Sequence, residues 1–238
     1  MADNDMWTIK AALDWTVGFL ERKGDDNPRL SAEWLMSEAT GLSRIELYVN
    51  FEQPLTLDER AVLRDFVARR GKGEPLQLIS GKVPFRYITV LVAPNVLIPR
   101  PETEVLVSEA FAELKLPRVA DHIAAGENGE EVVSPELPEL RAVDLCTGSG
   151  CIACSIASEY PAAHVVALDI APEALALAGK NIAALGLGDR VEVRGSDLLG
   201  ALDHNERGSF DLIISNPPYV PTKVCDGLPR EVSEWDPR

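Results

Sequence analysis

The sequence predicts an α/β protein in which a parallel sheet carries helices on both faces and a small helical bundle precedes it. Two observations predict this fold class. Residues 1–74 place apolar side chains at helical spacing, and residues 142–214 alternate short continuous apolar runs with helical patterns. Continuous apolar strands that are separated by helices are typical of parallel strands buried on both faces.

Residues 1–74 are predicted to form the helical bundle. A first helix of about four turns is indicated by an apolar stripe of Ile9, Leu13, Val17 and Leu20. A second begins at Pro28 behind the N-cap Asn27, ends at Gly41 and is expected to bury Leu30, Trp34 and Leu35. Two further short helices are predicted by capping boxes, formed by Ser43 with Glu46 and by Thr56 with Glu59.

Residues 75–99 are predicted to form a β-hairpin linker, because Ile88, Val90 and Val92 alternate with other residues as in a strand. The third region, 100–238, is expected to be the α/β domain. It opens with a helix over 102–114, followed by an acidic stretch over 118–141 that we interpret as a solvated loop.

The α/β domain is predicted to contain four parallel strands. The strands are expected at 142–145, 165–168, 191–193 and 210–214, with helices at 151–159 and 172–185 between them. Ligands bind such sheets at the carboxyl ends of the strands, so we expect the functional site there.

Composition and charge exclude several classes of partner. The net charge is -15, and the sequence contains no basic stripe of the kind that binds phosphates, so no direct binding to nucleic acid is expected. No segment approaches the roughly 18 uninterrupted apolar residues of a membrane span. The acidic start lacks the features of a secretory signal, which predicts a cytoplasmic protein whose four cysteines are thiols.

A glycine loop follows the first strand of the sheet. It comprises Cys146, Thr147, Gly148, Ser149 and Gly150, and Ala153 completes a G-x-G-x-x-A pattern. Glycines at these positions let the backbone approach a ligand, and a small residue at the last position lets the helix pack closely. This pattern suits a dinucleotide or S-adenosylmethionine equally, and a tight turn without a ligand would also explain it.

Two aspartates follow the next strands of the sheet. Asp169 lies 19 residues after Gly150, where a carboxylate can accept hydrogen bonds from both ribose hydroxyls of an adenosine. Asp197 follows the third strand, where it can meet an adenine amino group. Both residues would equally suit a helix cap or a turn.

The fourth strand runs into the tetrad Asn216, Pro217, Pro218 and Tyr219. Two prolines leave backbone carbonyls that only accept hydrogen bonds, and Asn216 adds a side-chain carbonyl. Tyr219 offers a flat face for stacking. The tetrad therefore suits an NH2 group on a planar conjugated system, such as an amide or a base amine, although a proline-rich exit turn would explain the prolines alone.

These motifs resemble the PrmC/HemK family, which methylates the glutamine amide in the Gly-Gly-Gln motif of peptide chain release factors. The resemblance extends over the helical front end, residues 96–104 (VLIPRPETE), the glycine loop and the tetrad. It implies a Rossmann-like class I methyltransferase sheet, S-adenosylmethionine as cofactor and a release factor as protein substrate. Residues 1–74 would then be the substrate-binding domain.

The resemblance also implies roles for individual residues. Residues 146–150 would wrap the methionine part of the cofactor, Asp169 would hold the ribose, and Asp197 and Leu198 would flank the adenine. The tetrad would hold the glutamine amide, with Asn216 and Pro217 as the catalytic residues and Asn216 also touching the cofactor. Arg100 and Glu102 are expected to brace this pocket, unless they form a surface ion-pair segment with helix capping.

Other interpretations are weighed beside this one. An adenine N6 methyltransferase would use the same tetrad on a flipped base, and the lack of a basic segment counts against it. A dinucleotide-dependent oxidoreductase would use the glycine loop and Asp169, but no proton donor is evident downstream. Cys151 and Cys154 at i and i+3 are the spacing of a redox or metal pair, yet zinc needs two further ligands, so no metal site is predicted.

The catalytic sheet of the resembled family continues beyond the tetrad, whereas this sequence stops at Arg238. The resemblance therefore implies that this chain holds four of the usual seven strands, in the order 3-2-1-4. We therefore expect either that a C-terminal tail is missing from the sequence or that the chain is a truncated product. In the second case the fourth strand would be an exposed apolar edge, which predicts poor solubility or an oligomer that covers it.

Overall fold

The computed structural model describes residues 7–116, residues 137–219 and Trp235. The described residues up to Gly81 form one compact unit, and those from Lys82 to Tyr219 form a second. The first unit contains the helices α1 (Ile9–Arg22), α2 (Pro28–Thr40), α3 (Arg44–Val49), α4 (Leu57–Arg70) and α5 (Leu76–Ser80). The second contains β1 (Lys82–Phe85), β2 (Ile88–Leu91), α6 (Pro101–Glu113), β3 (Leu140–Leu145), α7 (Cys151–Glu159), β4 (Ala163–Asp169), α8 (Pro172–Ala184), β5 (Val191–Gly195) and β6 (Leu212–Ser215).

The helix starts in the first unit follow the predicted capping chemistry. Both capping boxes are confirmed, because Ser43 and Thr56 accept hydrogen bonds from the backbone amides of Glu46 and Glu59, and those glutamates accept in return. At the start of α2, the side chain of Asn27 makes no capping hydrogen bond. Each capped start satisfies backbone amides at the beginning of its helix. Helix α3 is short, as predicted, whereas α4 has 14 residues, so the prediction of a short helix there was wrong.

The core of the first unit forms where the apolar faces of α1, α2 and α4 meet. Its buried members include Ile9, Leu13, Leu20, Leu35, Met36, Leu47, Leu63 and Val67. The prediction that Leu30 is buried was wrong, since its side chain is 41% exposed. Leu30 lies one residue off the inward stripe of α2, which Ala32, Leu35 and Met36 occupy instead.

A carboxylate lies inside this unit, against the usual pattern. Glu33 is only 2% exposed and accepts hydrogen bonds from Arg29 Nε at 2.7 Å, from Arg44 Nη2 at 2.6 Å and from the Tyr48 hydroxyl. Burial alone would raise the pKa of Glu33, but these donors outweigh it and lower the pKa to about 2. The ionised group is therefore part of the folded state at neutral pH.

Replacing Glu33 by Gln is expected to lower the free energy of unfolding at pH 7 by about 2 kcal/mol. This value is smaller than the full pKa shift implies, because both arginines are partly exposed and water screens their charges. A depressed carboxyl pKa stabilises the fold above the unfolded value of 4.5, and this stabilisation is lost as the pH falls towards 2. The difference between Glu33→Gln and the wild type should therefore shrink below about pH 4 in urea unfolding followed by circular dichroism.

The matched control for this change is Glu52→Gln, which removes the same charge from an exposed position between α3 and α4. It should unfold like the wild type at every pH. An unchanged free energy of unfolding for Glu33→Gln at pH 7 would show that the three donors contribute nothing net.

The second unit begins with the predicted hairpin, in which β1 and β2 pair antiparallel. Residues 76–80, which the sequence analysis placed in the linker, form the short helix α5 instead. At the hairpin turn, Arg86 donates to both carboxylate oxygens of Glu159 at 2.5 and 2.6 Å and to the Glu104 carbonyl at 2.9 Å. This buried ion pair ties the hairpin to the end of α7 and to α6.

The central sheet is parallel in the order β5-β4-β3-β6, which confirms the predicted strand order. Strand β3 begins at Leu140, so the last two residues of the stretch interpreted as a loop belong to the sheet. Most of that stretch lies outside the described residues. Within the described part of the chain, β6 pairs on one side only and is an edge strand.

Helix α7 packs into the centre of the unit and is buried along nearly its whole length. This burial explains Cys151 and Cys154, whose thiols lie in the core with pKa values raised to about 12 by loss of contact with water. They stay protonated at neutral pH, which is unsuited to redox chemistry. Among the residues that the structure describes, no cluster of His, Cys, Asp and Glu could hold a metal ion.

None of the described helices combines the length and the apolar character that crossing a membrane requires.

Candidate active site

The carboxyl ends of the parallel strands define the candidate site. Leu145, the last residue of β3, pairs with Leu168 of β4 on one side and with Ser215 of β6 on the other. The Ser215 hydroxyl donates to the Leu145 carbonyl at 2.7 Å and closes this row. The glycine loop, Asp169 and the tetrad therefore leave the sheet at the same level, from three neighbouring strands.

The glycine loop has a strained, well-supported backbone. Cys146, Gly148 and Gly150 have φ values of 60°, 57° and 78°, a left-handed region that only glycine adopts freely. Within the loop, Thr147 is buried, and its amide donates to the Leu168 carbonyl at 2.9 Å. Burial raises the pKa of the Cys146 thiol, as does the nearby Asp169 charge, so it stays protonated.

The two loop glycines are needed for different reasons. A Cβ atom on Gly150 would lie 3.1 Å from Ala178 Cβ and 3.2 Å from Ala178 Cα, so this glycine permits the close approach of α8. A Cβ on Gly148 would meet only Val96, at an ordinary 3.8 Å. Helix packing is therefore one reason for Gly150, and backbone approach to a ligand stays a prediction for both glycines.

Asp169 is positioned by the loop that it faces. Its Oδ2 atom accepts from the Gly148 amide at 2.8 Å and its Oδ1 atom from the Ala171 amide at 2.9 Å. The sequence left open that Asp169 caps the following helix, but the N-cap residue of α8 is Ala171, and Asp169 accepts from its amide as a turn residue two positions earlier. The contact with Gly148 connects β4 to the glycine loop. Each carboxylate oxygen keeps a second lone pair for a ligand donor.

Asp144 was not singled out in the sequence, although it immediately precedes the loop in β3. Its side chain accepts hydrogen bonds from Thr147 Oγ1 at 2.5 Å and from the Ala153 amide at 3.1 Å. These bonds lower the pKa of Asp144, but its complete burial outweighs them and raises the pKa to about 6. These contacts fix the loop to the start of α7. An acidic residue inside an apolar strand was the available signal.

Asn181 was missed because nothing in its local sequence marks it. Its side chain, 1% exposed in α8, accepts from the Leu91 amide at 2.7 Å and donates to the carbonyls of Leu91 at 3.0 Å and Ser149 at 2.9 Å. One amide thus connects the hairpin strand β2 to the glycine loop. No sequence pattern predicts a contact across 90 residues of chain.

Three side chains near the ends of β4 and β5 are exposed. Asp197 and Leu198 follow β5 in a turn where Leu198 has a φ of 48° and the Ser196 hydroxyl donates to the Leu198 carbonyl at 2.6 Å. Ile170, directly after Asp169, is 70% exposed, and no sequence motif marks it as a site residue. Two exposed apolar side chains on neighbouring strand ends are suited to a flat apolar ligand group.

The tetrad continues directly from β6. Asn216 is half-buried, while Pro217, Pro218 and Tyr219 are exposed, Tyr219 by 80%. The Asn216 side chain donates from Nδ2 to Thr103 Oγ1 at 3.1 Å. The described structure therefore holds the amide of Asn216 and leaves the other three members open to a ligand.

Thr103 belongs to the 96–104 segment, but it is not one of the two residues expected to brace the pocket. It is buried in the first turn of α6. Arg100 is the N-cap residue of this helix, and Glu102 is exposed in the same turn, where a carboxylate favours the helix dipole. Both residues thus lie at the start of α6, where the Arg100 side chain makes no capping hydrogen bond. A bracing role for them stays a prediction.

Comparison with known proteins identifies the family. Residues 11–81 match the PrmC N-terminal domain and residues 127–227 the methyltransferase small domain. A release factor glutamine methyltransferase from Geobacter sulfurreducens is 44% identical over 234 residues, which cover 98% of this chain and 73% of that protein. The chain belongs to the release factor glutamine methyltransferase family. A further member, from Rhodopirellula baltica, is 40% identical over 98% of this chain and 72% of that protein.

Membership of the release factor glutamine methyltransferase family confirms the predicted methyltransferase class, its Rossmann-like fold and S-adenosylmethionine as the cofactor. It does not favour the adenine methyltransferase alternative. Among solved structures, the N-terminal domain of human METTL16 aligns with a TM-score of 0.40 and 18% identity, over 72% of this chain and 57% of that chain.

The described residues fit this cofactor. Above Gly148 the loop leaves room, since an added Cβ would touch only Val96. The Asp169 carboxylate has lone pairs for ribose hydroxyls. Beneath the loop, Asp144 Oδ1 and Ser149 Oγ are buried without a hydrogen-bond partner in the described structure, which is where a polar ligand or a bridging water gains most.

Proposed function

We propose that the protein transfers a methyl group from S-adenosylmethionine to the side-chain amide nitrogen of the glutamine in the Gly-Gly-Gln motif of peptide chain release factors. One observation carries the proposal: the glycine loop and the Asn-Pro-Pro-Tyr tetrad start at the same level on the neighbouring strands β3 and β6. A donor and an acceptor held by these motifs would meet at one edge of the sheet. The names of the related proteins support the same reaction.

In this proposal the glycine loop and the neighbouring strand ends hold the cofactor. Residues 146–150 enclose its methionine part, and Asp169 accepts hydrogen bonds from the ribose hydroxyls. Asp197 receives the adenine amino group, and Leu198 flanks the base together with Ile170, whose exposure supports this addition. When bound, the cofactor supplies an electrophilic methyl group on a sulfonium sulfur.

The tetrad is proposed to hold the glutamine amide. The Asn216 side-chain carbonyl and the Pro217 backbone carbonyl each accept one proton of its NH2 group. The prolines supply no backbone N–H that could compete, and Pro217 favours an extended conformation for the residue before it. Pro218 and the exposed Tyr219 would line the flat face of the amide, and Asn216 would also border the cofactor.

Positioning is the main catalytic contribution of these residues. An amide nitrogen is a poor nucleophile because its lone pair is delocalised, and two acceptors fix its position while favouring positive charge on it. Orientation of reacting groups lowers barriers by up to about 7 to 11 kcal/mol. As the new N–C bond formed, the bond between the methyl group and the sulfonium sulfur would break, leaving its electron pair on sulfur as a neutral thioether. The nitrogen would give up one proton to water, and the accepting carbonyls would stay neutral throughout.

The remaining assignments concern organisation and partners. Residues 1–74 are proposed to be the domain that binds the release factor. Residues 75–99 would be the hairpin linker, and residues 100–238 the methyltransferase domain. The net charge of -15 suits a protein partner and not a nucleic-acid backbone. Release factors act during translation, so the cytoplasm is the proposed location.

The test is a methylation assay with the purified chain, methyl-labelled S-adenosylmethionine and a full-length release factor. Label should appear on the factor and, after proteolysis, on the peptide that contains the Gly-Gly-Gln glutamine. A release factor with that glutamine replaced by alanine should take up none. Transfer to duplex or single-stranded DNA instead would establish the adenine methyltransferase, and no transfer to either would contradict the proposal.

A further inference from the structure

We infer that Thr103 is a positioning residue that sets the orientation of the Asn216 amide for the reaction. This inference rests on the proposed function. The main evidence is the hydrogen bond of 3.1 Å from Asn216 Nδ2 to Thr103 Oγ1, which joins residues 113 positions apart in the chain.

Both ends of this contact are held by their own elements. Thr103 is 6% exposed and lies in the first turn of α6, where its amide donates to the Arg100 carbonyl at 3.0 Å and Pro101 starts the helix. Asn216 follows the paired residue Ser215 and precedes Pro217, which restricts its backbone. The hydroxyl and the amide therefore meet with little freedom to drift apart.

The direction of this hydrogen bond decides which end of the amide faces the substrate. With Nδ2 committed to Thr103, the Oδ1 atom is the end left for an incoming donor, and no hydrogen bond to Oδ1 is found within the described structure. A flipped Asn216 would present its own NH2 to the substrate NH2, placing two donors against each other. In the observed direction of the bond, Thr103 holds the amide in the catalytically useful orientation.

A threonine suits this role better than other hydroxyl residues. Its β-branched side chain has few rotamers in a helix, so the oxygen stays in place. Serine keeps the hydroxyl with more rotational freedom, and valine keeps the shape without the hydroxyl. These two substitutions separate hydrogen bonding from packing.

The experiment compares Thr103→Val and Thr103→Ser in the methylation assay with cofactor and release factor each varied. Thr103→Val should lower kcat about tenfold, as expected for loss of one orienting hydrogen bond, while the KM for release factor stays within about twofold. Cofactor affinity by calorimetry should be unchanged. Thr103→Ser should restore kcat to within about threefold of the wild type.

A matched control is Thr89→Val, which removes an exposed threonine hydroxyl from β2 in the same unit and should leave kcat unchanged. An unchanged kcat for Thr103→Val would overturn the inference. So would a Thr103→Ser enzyme as slow as Thr103→Val, because that result would assign the residue to packing.

A measurement without turnover separates this inference from the proposed function. The side-chain NH2 signal of Asn216, assigned by its loss in Asn216→Ser, should show one proton with slowed solvent exchange in the wild type and faster exchange in Thr103→Val. A wild type that shows this protection but methylates no release factor would contradict the proposed function alone. Absence of protection in an active wild type would contradict the role of Thr103 alone.

Discussion

Replacing Asn216 by Ala is expected to lower kcat about a hundredfold or more while changing cofactor affinity by less than about threefold. The side-chain carbonyl is proposed to accept one proton of the glutamine amide as charge builds on its nitrogen. Removing one group that stabilises developing charge in an active site typically costs about 10²–10³ in turnover. The measurement is steady-state methylation of a release factor, with calorimetry of S-adenosylmethionine binding beside it.

The matched control is Asn205→Ala, which removes an exposed amide from the turn region between β5 and β6. It should methylate at the wild-type rate. An Asn216→Ala enzyme with near wild-type kcat would remove the tetrad from the chemistry. Loss of cofactor binding as large as the loss of turnover would reassign Asn216 to the cofactor pocket.

Replacing Asp169 by Ala is expected to raise the dissociation constant of S-adenosylmethionine about a hundredfold. Two charge-assisted hydrogen bonds to ribose, at about 1.5 kcal/mol each, account for this factor. The structure adds a second cause, because the same carboxylate holds the Gly148 amide at 2.8 Å. Calorimetry on the purified protein measures the change directly.

A cofactor analogue that lacks a ribose hydroxyl distinguishes the two causes. The wild type should bind the deoxy analogue more weakly than S-adenosylmethionine, whereas Asp169→Ala should bind the two alike. If the analogue still lost affinity in Asp169→Ala, the carboxylate would act only through the loop. Asp189→Ala, at an exposed position before β5, serves as the charge control.

The sheet and its motifs were predictable because their signals are local. Continuous apolar runs located the strands, the resemblance to a known family implied their order, and the glycine loop, Asp169 and the tetrad each follow a strand within a few residues. The carboxyl ends of parallel strands meet at one edge, so the meeting of these motifs followed from topology alone. The two capping boxes were predictable for the same reason.

The supporting contacts were not predictable because they join distant segments. Asn216 meets Thr103 across 113 residues, and Asn181 meets Leu91 across 90. Glu33 would be placed on the surface by any hydropathy pattern, since its burial depends on three donors that only the folded helices bring together. The prediction that Leu30 is buried was wrong for the converse reason, because this apolar residue lies outside the buried face of α2.

A single side-chain amide, that of Asn181, serves both the hairpin and the glycine loop. Displacing this side chain would remove the partners of the Leu91 amide, the Leu91 carbonyl and the Ser149 carbonyl together. Parting β2 from α8 alone would break the two bonds to Leu91 and leave the bond to Ser149 in place. A rotation of one helical side chain therefore disturbs strand and loop at once, whereas fraying of the strand does not reach the loop by this route.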